Sequence, residues 1–437
     1  MSDREASQTS RWQIVTAAAL LVGYSGYYLC RSNLSVAVPA LLADPTARVD
    51  RDAIGWIASA GIVAYATGKS MNGVAGDFLG GRRLFLAGLF LSVAATLAFS
   101  LSAGAPLFML WWVINRFVQS AGWGGLTKTA AHWYPASRYG TVMSVLSLSY
   151  LFGDAVGRYM LGALFTRGVT WRGLFVAAAG VLAAIGVVNV LLLKNSPRDL
   201  GLPEPDVNVE NVFGRSGSDS KPAGFGDLLR PYLVSPSFWL VCGLSFGMTL
   251  IREAFNAWIP IYLVDAHRLS PGRAAQYSAL FPFLGGVSAM AVGVVTDHLR
   301  TRNRVALMVP AMVLCAVSLS VLAIGTARAD LTLSVAGIGG TAVFLLGPYT
   351  LLSGAIALDM GGRKGSATAA GLIDSAGYFG GTLSGFAIGR LAEVGGWASV
   401  FNVMAALAAV VAVIAIGYCV ERRWRVTWRE RATPDTA

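Results

Sequence analysis

An arginine stands at position 31 in YYLCRSNLSV, the middle of an apolar run, and a second, Arg252, stands in LIREAFNAW at an offset of 221 residues. A charge at such a place costs about 2.5–3.5 kcal/mol on insertion scales, so it is retained where a counter-charge or an aqueous cavity compensates. Guanidinium stays ionised at every accessible pH and presents a planar fork of donors matched to phosphate or carboxylate oxygens. Two such groups facing one cavity would clamp a compact oxyanion; the alternative is a pair of structural charges, each neutralised nearby or drawn to the interface. Lys69, in YATGKSMNGV, supplies a third cation, or snorkels toward the nearer interface. Tyr27 precedes Arg31 by four residues and shares its helix face, so it either lines the cavity or packs the core.

The carboxylates divide into two sets. Asp77 in GDFLGGRR and Asp297 in TDHLRTRNR recur at an offset of 220 residues, each at a helix end beside arginines. They read as gating and topology elements away from substrate. Asp154 and Arg158 lie four apart and can neutralise each other on one helix face. Glu253 follows Arg252 but is turned about 100° from it around a helix, and Asp374 has no partner close in sequence. Three extra intramembrane carboxylates suggest either a substrate with a cationic group beside its phosphate or phosphonate, or proton coupling. His132, His267 and His298 have no metal-ligand spacing, and no nucleophile, base and oxyanion donors share one level. No metal, no cofactor and no enzymatic activity are expected.

These residues need elements to hold them in a membrane. Of 437 residues, 55% are hydrophobic and 13% charged, against roughly 25% charged in soluble domains, so the chain reads as polytopic and, because helices satisfy their own backbone in lipid, all-α. Twelve spans are expected, at about 13–42, 54–75, 84–102, 107–128, 140–166, 173–193, 236–263, 274–296, 305–325, 332–358, 366–392 and 397–420. The net charge of +11 gathers on one side, with about 21 Arg and Lys there against about 8 opposite, which places both termini in the cytoplasm. Topology and anionic lipid account for that charge, leaving none that requires nucleic acid. The four cysteines, Cys30, Cys242, Cys315 and Cys419, fall within spans, and no structural disulfide is expected.

The Pro-, Gly- and Ser-rich stretch from Lys194 to Ser235 divides the chain. Residues 1–193 form one expected six-helix bundle, 194–235 a cytoplasmic linker, and 236–437 a second bundle with a basic tail. The two matched offsets imply pseudo-symmetric halves related by an axis along the membrane normal, with Arg31 and Arg252 as symmetry mates and substrate near the midplane.

GDFLGGRR resembles the signature loop of the major facilitator superfamily. GYSGYYLCRSNLSVAVPALL, YATGKSMNGVAGD, QSAGWGGLTKTAAHWYP, SPRDLGLPE, LIREAFNAWIPIYL and GSATAAGLIDSAGYFGGTLSG resemble its organophosphate:inorganic phosphate antiporter family across nearly the whole chain. The resemblance implies a twelve-helix major facilitator fold and rocker-switch exchange of an organophosphate for inorganic phosphate in a plasma (inner) membrane. It makes Arg31 and Arg252 the phosphate-binding pair and Lys69 a cavity-lining cation. Glycerol-3-phosphate transporters of that family carry lysine where this chain has Ser32, histidine at Tyr150, and a glutamate-bearing segment near Phe281 to Phe283. The expected partners are therefore a small anionic organophosphate or phosphonate, inorganic phosphate and membrane lipid, handled by a monomer. A proton-coupled organic-anion symporter and a non-transporting organophosphate sensor are the rival readings.

Overall fold

A computed structural model describes residues 3–206, 211–214, 221–298 and 304–432, and every element among them is helical. Arg300 and Arg302, counted above toward orientation, lie outside the described residues. The principal helices are α1 (Asp3–Ala43), α2 (Arg51–Leu79), α3 (Gly81–Leu101), α4 (Ala105–Gln119), α5 (Ala121–Trp133), α6 (Tyr139–Thr166) and α7 (Trp171–Leu192). After the linker come α8 (Phe225–Leu233), α9 (Pro236–His267), α10 (Pro271–Ser278), α11 (Leu280–His298), α12 (Met308–Ala327), α13 (Leu331–Leu351) and α14 (Ala357–Ala432).

These helices accommodate the twelve expected spans, with three of them interrupted, the one at 332–358 by a π-helical turn, Leu352–Ile356, between α13 and α14. The span at 107–128 divides into α4 and α5 at Ser120, whose hydroxyl donates to the Phe117 carbonyl at 2.6 Å, a local bond that competes with the helical ladder. The span at 274–296 divides into α10 and α11. Conversely α14 runs for 76 residues, about 110 Å if straight and several times a hydrocarbon core. The chain turns within it at Gly362 (φ +54°) and Gly396 (φ +72°), left-handed positions that glycine occupies without strain. Apolar side chains stay exposed along α7 (Val176, Val181, Val187, Val188, Leu191) and along the end of α14 (Val410, Val413, Ile416, Val420). Surfaces of this kind are solvated by hydrocarbon, and the protein is an integral membrane protein.

The chain divides into two compact units, one of Met1–Leu228 with Ala357–Ser375, the other of Leu229–Ile356 with Ala376–Ala437. The repeat assigns Ala357–Ser375 to the C-terminal bundle, whereas in the structure this stretch packs with the first unit. Small residues are the reason: a Cβ on Gly73 of α2 would come within 2.7 Å of the Ala367 carbonyl oxygen, so the two backbones meet directly.

In the first unit α1 packs on α6 and α7, α2 on α4 and α5, and α3 on α4, α5 and α7. A Cβ on Gly125 would stand 2.7 Å from the Phe85 nitrogen, which is why GWGG sits where α5 crosses α3. Phe99 stacks on Phe175 at 4.5 Å and on Phe108 at 4.6 Å to close the opposite end of this core. The linker is tied to the same unit. Glu204 receives Arg198 and Arg363 at 2.9 Å each, Lys364 reaches Asp227 at 2.8 Å, and the Val212 amide donates to the Met360 carbonyl.

In the second unit α13 packs on α11 and α12. The Tyr262 hydroxyl of α9 gathers Thr326 at 2.8 Å, Ser334 at 2.9 Å and His267 at 3.0 Å. Its ring meets the edge of Phe401 at 4.8 Å, so one side chain joins four helices of that unit.

Candidate functional site

Arg31 is half-buried on α1. Its Nη1 donates to the Tyr28 hydroxyl at 3.1 Å, and its guanidinium carbon lies 4.3 Å from the centroid of the Tyr65 ring, on α2, and 4.9 Å from that of Tyr28. Cation–π attraction of this sort is worth about 0.5–2 kcal/mol, enough to offset part of the charge's insertion cost. Tyr28 meets Arg31 because residues three apart are helix neighbours.

Tyr27 takes the packing alternative. It is 2% exposed, its ring stands edge-on to Phe85 and its hydroxyl donates to the Phe85 carbonyl at 2.5 Å. Spacing of four put it on the arginine's side, but the α1–α3 contact claims its ring, and Tyr28 and Tyr65 brace the guanidinium instead.

Lys69 does not snorkel. It is 3% exposed and its Nζ binds Asp374 Oδ2 at 2.6 Å, with the Tyr65 ring 5.1 Å and the Trp123 ring 5.9 Å away. Asp374 comes from the part of α14 that packs on α2, a partner 305 residues distant in sequence. Tyr150 stands behind Trp123, edge to face at 6.4 Å.

Asp154 and Arg158 pair at 2.8 Å, as their spacing suggests, and the pair is tied to α1 over the turn that follows Arg31. Ser32 donates to Asp154 at 2.6 Å, and Arg158 donates to Ser35 at 3.1 Å. Ser32, next to Arg31, thus holds a carboxylate of α6.

In the second unit the guanidinium carbon of Arg252 lies 4.6 Å from the centroid of the Tyr349 ring. Glu253, although the next residue, reaches back to pair with Arg252 Nη2. The flexible side chain overcomes the helical turn between them. Phe281 is buried against Phe255 at 4.9 Å.

The aspartates of the repeated loop motif have unlike surroundings. Asp77 is buried, pairs with Lys128 at 2.8 Å and accepts from the amides of Ala367 at 3.3 Å and Thr368 at 2.8 Å. Lys128 also donates to the Arg363 and Lys364 carbonyls. Asp297 instead pairs with Arg304 at 2.8 Å.

Three participants escaped the sequence reading. Arg116 on α4 is 6% exposed, and its guanidinium carbon lies 4.5 Å from the centroid of the Tyr65 ring. The rule that singled out Arg31, an ionised side chain inside a span, applies equally to Arg116 and Lys128. Nothing in the local sequence marks Tyr65, the ring on which Arg31, Lys69 and Arg116 converge.

The family described as the Major Facilitator Superfamily matches residues 20–355. A probable hexose phosphate transport protein of Chlamydia pneumoniae is 26% identical, over 91% of this chain and 89% of its own. A glycerol-3-phosphate transporter of Bacillus subtilis is 26% identical, over 89% and 88%. A membrane sensor protein of Salmonella typhimurium is 25% identical, over 93% and 91%. Those relatives fall within the organophosphate:phosphate antiporter family that the motifs resemble. The solved fucose:proton symporter of Escherichia coli superposes with a TM-score of 0.71 at 14% identity, over 93% of this chain and 99% of that one; at that identity the likeness is one of fold.

Proposed function

The chain belongs to the Major Facilitator Superfamily, and we propose that it moves an organophosphate or phosphonate across the membrane in exchange for inorganic phosphate. It is a membrane transporter by family, and no enzyme. The observation that carries the finer reading is the setting of the two arginines, Arg31 on Tyr28 and Tyr65 and Arg252 on Tyr349. Aromatic faces lower the cost of an intramembrane guanidinium without occupying all five of its donors, which suits a group that must still receive an oxyanion. In this reading Arg31 and Arg252 are the oxyanion-binding pair, Lys69 and Tyr150 flank the substrate, and the two bundles rock in alternating access with Asp77 and Asp297 at the gates. Both termini face the cytoplasm, and the protein acts as a monomer.

The extra carboxylates each hold a cation of their own: Asp154 with Arg158, Glu253 with Arg252, Asp374 with Lys69. That pairing favours charge compensation and a purely anionic substrate over a zwitterionic one.

The test is reconstitution into phosphate-loaded liposomes, with counterflow of labelled phosphate measured against phosphate esters, phosphonates and carboxylates. Exchange with phosphate-bearing compounds that survives a protonophore is expected. Uptake abolished by the protonophore would make the protein a proton symporter, binding without flux would make it a sensor, and no exchange by any phosphate compound would sink the proposal.

A further inference from the structure

We propose that Arg158 is a further substrate-binding residue, one that donates to a neutral oxygen, hydroxyl or carbonyl, on the organic part of the substrate. The inference deepens the transport reading above and rests on it. A phosphate ester or phosphonate bearing such an oxygen would be favoured over its plain alkyl counterpart, and over one with a second ionised group at the same place.

The side chain lies at a level where α6 meets hydrocarbon, yet it faces elsewhere. Phe152 and Val156, 61% and 60% exposed, mark the lipid-facing side of the helix. At about 100° per residue, Asp154 and Arg158 lie about 180° and 140° around the helix from the middle of that side. Their side chains are nevertheless 37% and 53% exposed. An ionised pair inside a span that turns from lipid and still keeps exposed surface faces water or a ligand. Stability does not account for it, because an ion pair this exposed contributes little.

The guanidinium is also aimed. A Cβ on Gly153 would come within 2.8 Å of the Ser25 Cα, so α6 rests directly on the backbone of α1. Arg158 Nε donates to Asp154 Oδ2 at 2.8 Å and Nη1 to the Ser35 hydroxyl at 3.1 Å, while Ser32 donates to Asp154 Oδ1 at 2.6 Å. Ser35 gives its own proton to the Ser32 carbonyl at 2.8 Å, which leaves its lone pairs for the guanidinium. Among the described residues these contacts engage two of the five guanidinium donors. The others remain for an acceptor outside the protein. Because Asp154 already balances the charge, a neutral oxygen suits them better than a second anion. Ser35 follows Arg31 by four residues, so this oxygen would sit about 6 Å along α1 from the oxyanion site, a few bonds from phosphorus.

The experiment is phosphate self-exchange in liposomes, competed by dihydroxyacetone phosphate, by propyl phosphate and by 3-phosphoglycerate. The wild type should prefer dihydroxyacetone phosphate to propyl phosphate by about ten-fold, as one hydrogen bond to a charged group implies, and should rank 3-phosphoglycerate below it. D154N/R158Q, which removes both charges together, should bring dihydroxyacetone phosphate and propyl phosphate toward parity. R158K keeps the charge without the planar fork and should recover part of the preference, while S35A, which releases the guanidinium from its guide, should weaken it to an intermediate degree. The competitor ratio does not depend on how much protein is active, so a lowered rate with the ratio intact in D154N/R158Q would assign the pair a structural role and overturn the proposal. Stronger competition by 3-phosphoglycerate than by dihydroxyacetone phosphate would overturn it too. If the double variant fails to assemble, equal competition by dihydroxyacetone phosphate and propyl phosphate in the wild type, or an unchanged ratio in S35A, has the same force. Wild-type protein that exchanges no phosphate compound at all would remove the transport reading itself, a result distinct from normal exchange that ignores Arg158.

Discussion

Asp374 and Lys69 behave differently from the arginines because each is nearly removed from water and each is the other's counter-charge. Breaking a buried pair from one side leaves an uncompensated charge and costs about 3–5 kcal/mol, whereas replacing both partners by apolar groups is often close to neutral. Asp374→Asn should therefore lower the thermal midpoint in detergent by several degrees, and the double variant Lys69→Met with Asp374→Leu should recover most of the loss. Equal destabilisation by the single and double changes would mean that the pair contributes through packing. At the same scale, Tyr27 shows how a shared helix face can mislead: four residues from Arg31, it is taken up by Phe85 of a neighbouring helix.

At the scale of elements, the linker and the start of the 363–395 segment form a clasp in the first unit, with Glu204 on Arg198 and Arg363, and Asp227 on Lys364. The hydrogen bond from Lys364 holds the Asp227 carboxyl below the usual carboxylate range, aided by the Ala223 amide. A carboxyl lowered in the folded protein contributes its stability fully above its ordinary value of about 3.9, and loses it as pH falls through the lowered one. The contact on α8 should thus be intact at neutral pH and fade under acid. Hydrogen exchange of amides 221–228 should be faster in Asp227→Asn than in the wild type at pH 7, and the two should converge once pH has fallen through the lowered value of the Asp227 carboxyl. A difference that persists in acid would show that the carboxylate's charge is not what holds α8.

At the scale of the whole molecule, charge placement rather than shape sets orientation. A C-terminal tag should be protected from protease in right-side-out vesicles and cleaved in inverted ones; the reverse pattern would refute the cytoplasmic assignment of the termini. The Arg and Lys that decide this are read directly from sequence, since the rule counts them loop by loop and asks nothing of packing.

Hydropathy was enough to indicate an all-helical membrane fold, and the motif stretches its family, because span length is a local property of a chain in lipid and each motif is a short run of sequence; the matched offsets singled out Arg31 and Arg252 as a candidate pair. Breaks at Ser120 and turns at Gly362 and Gly396 were less visible, since a single hydroxyl or glycine leaves hydropathy almost unchanged. What only the tertiary structure decided is who neutralises whom. Asp374 finds Lys69 across 305 residues, Ser32 finds Asp154, and Arg31 and Arg116 meet on Tyr65 from separate helices. Such contacts depend on which helix faces are brought together by close-packed glycines such as Gly73 and Gly125, and no local spacing records that choice.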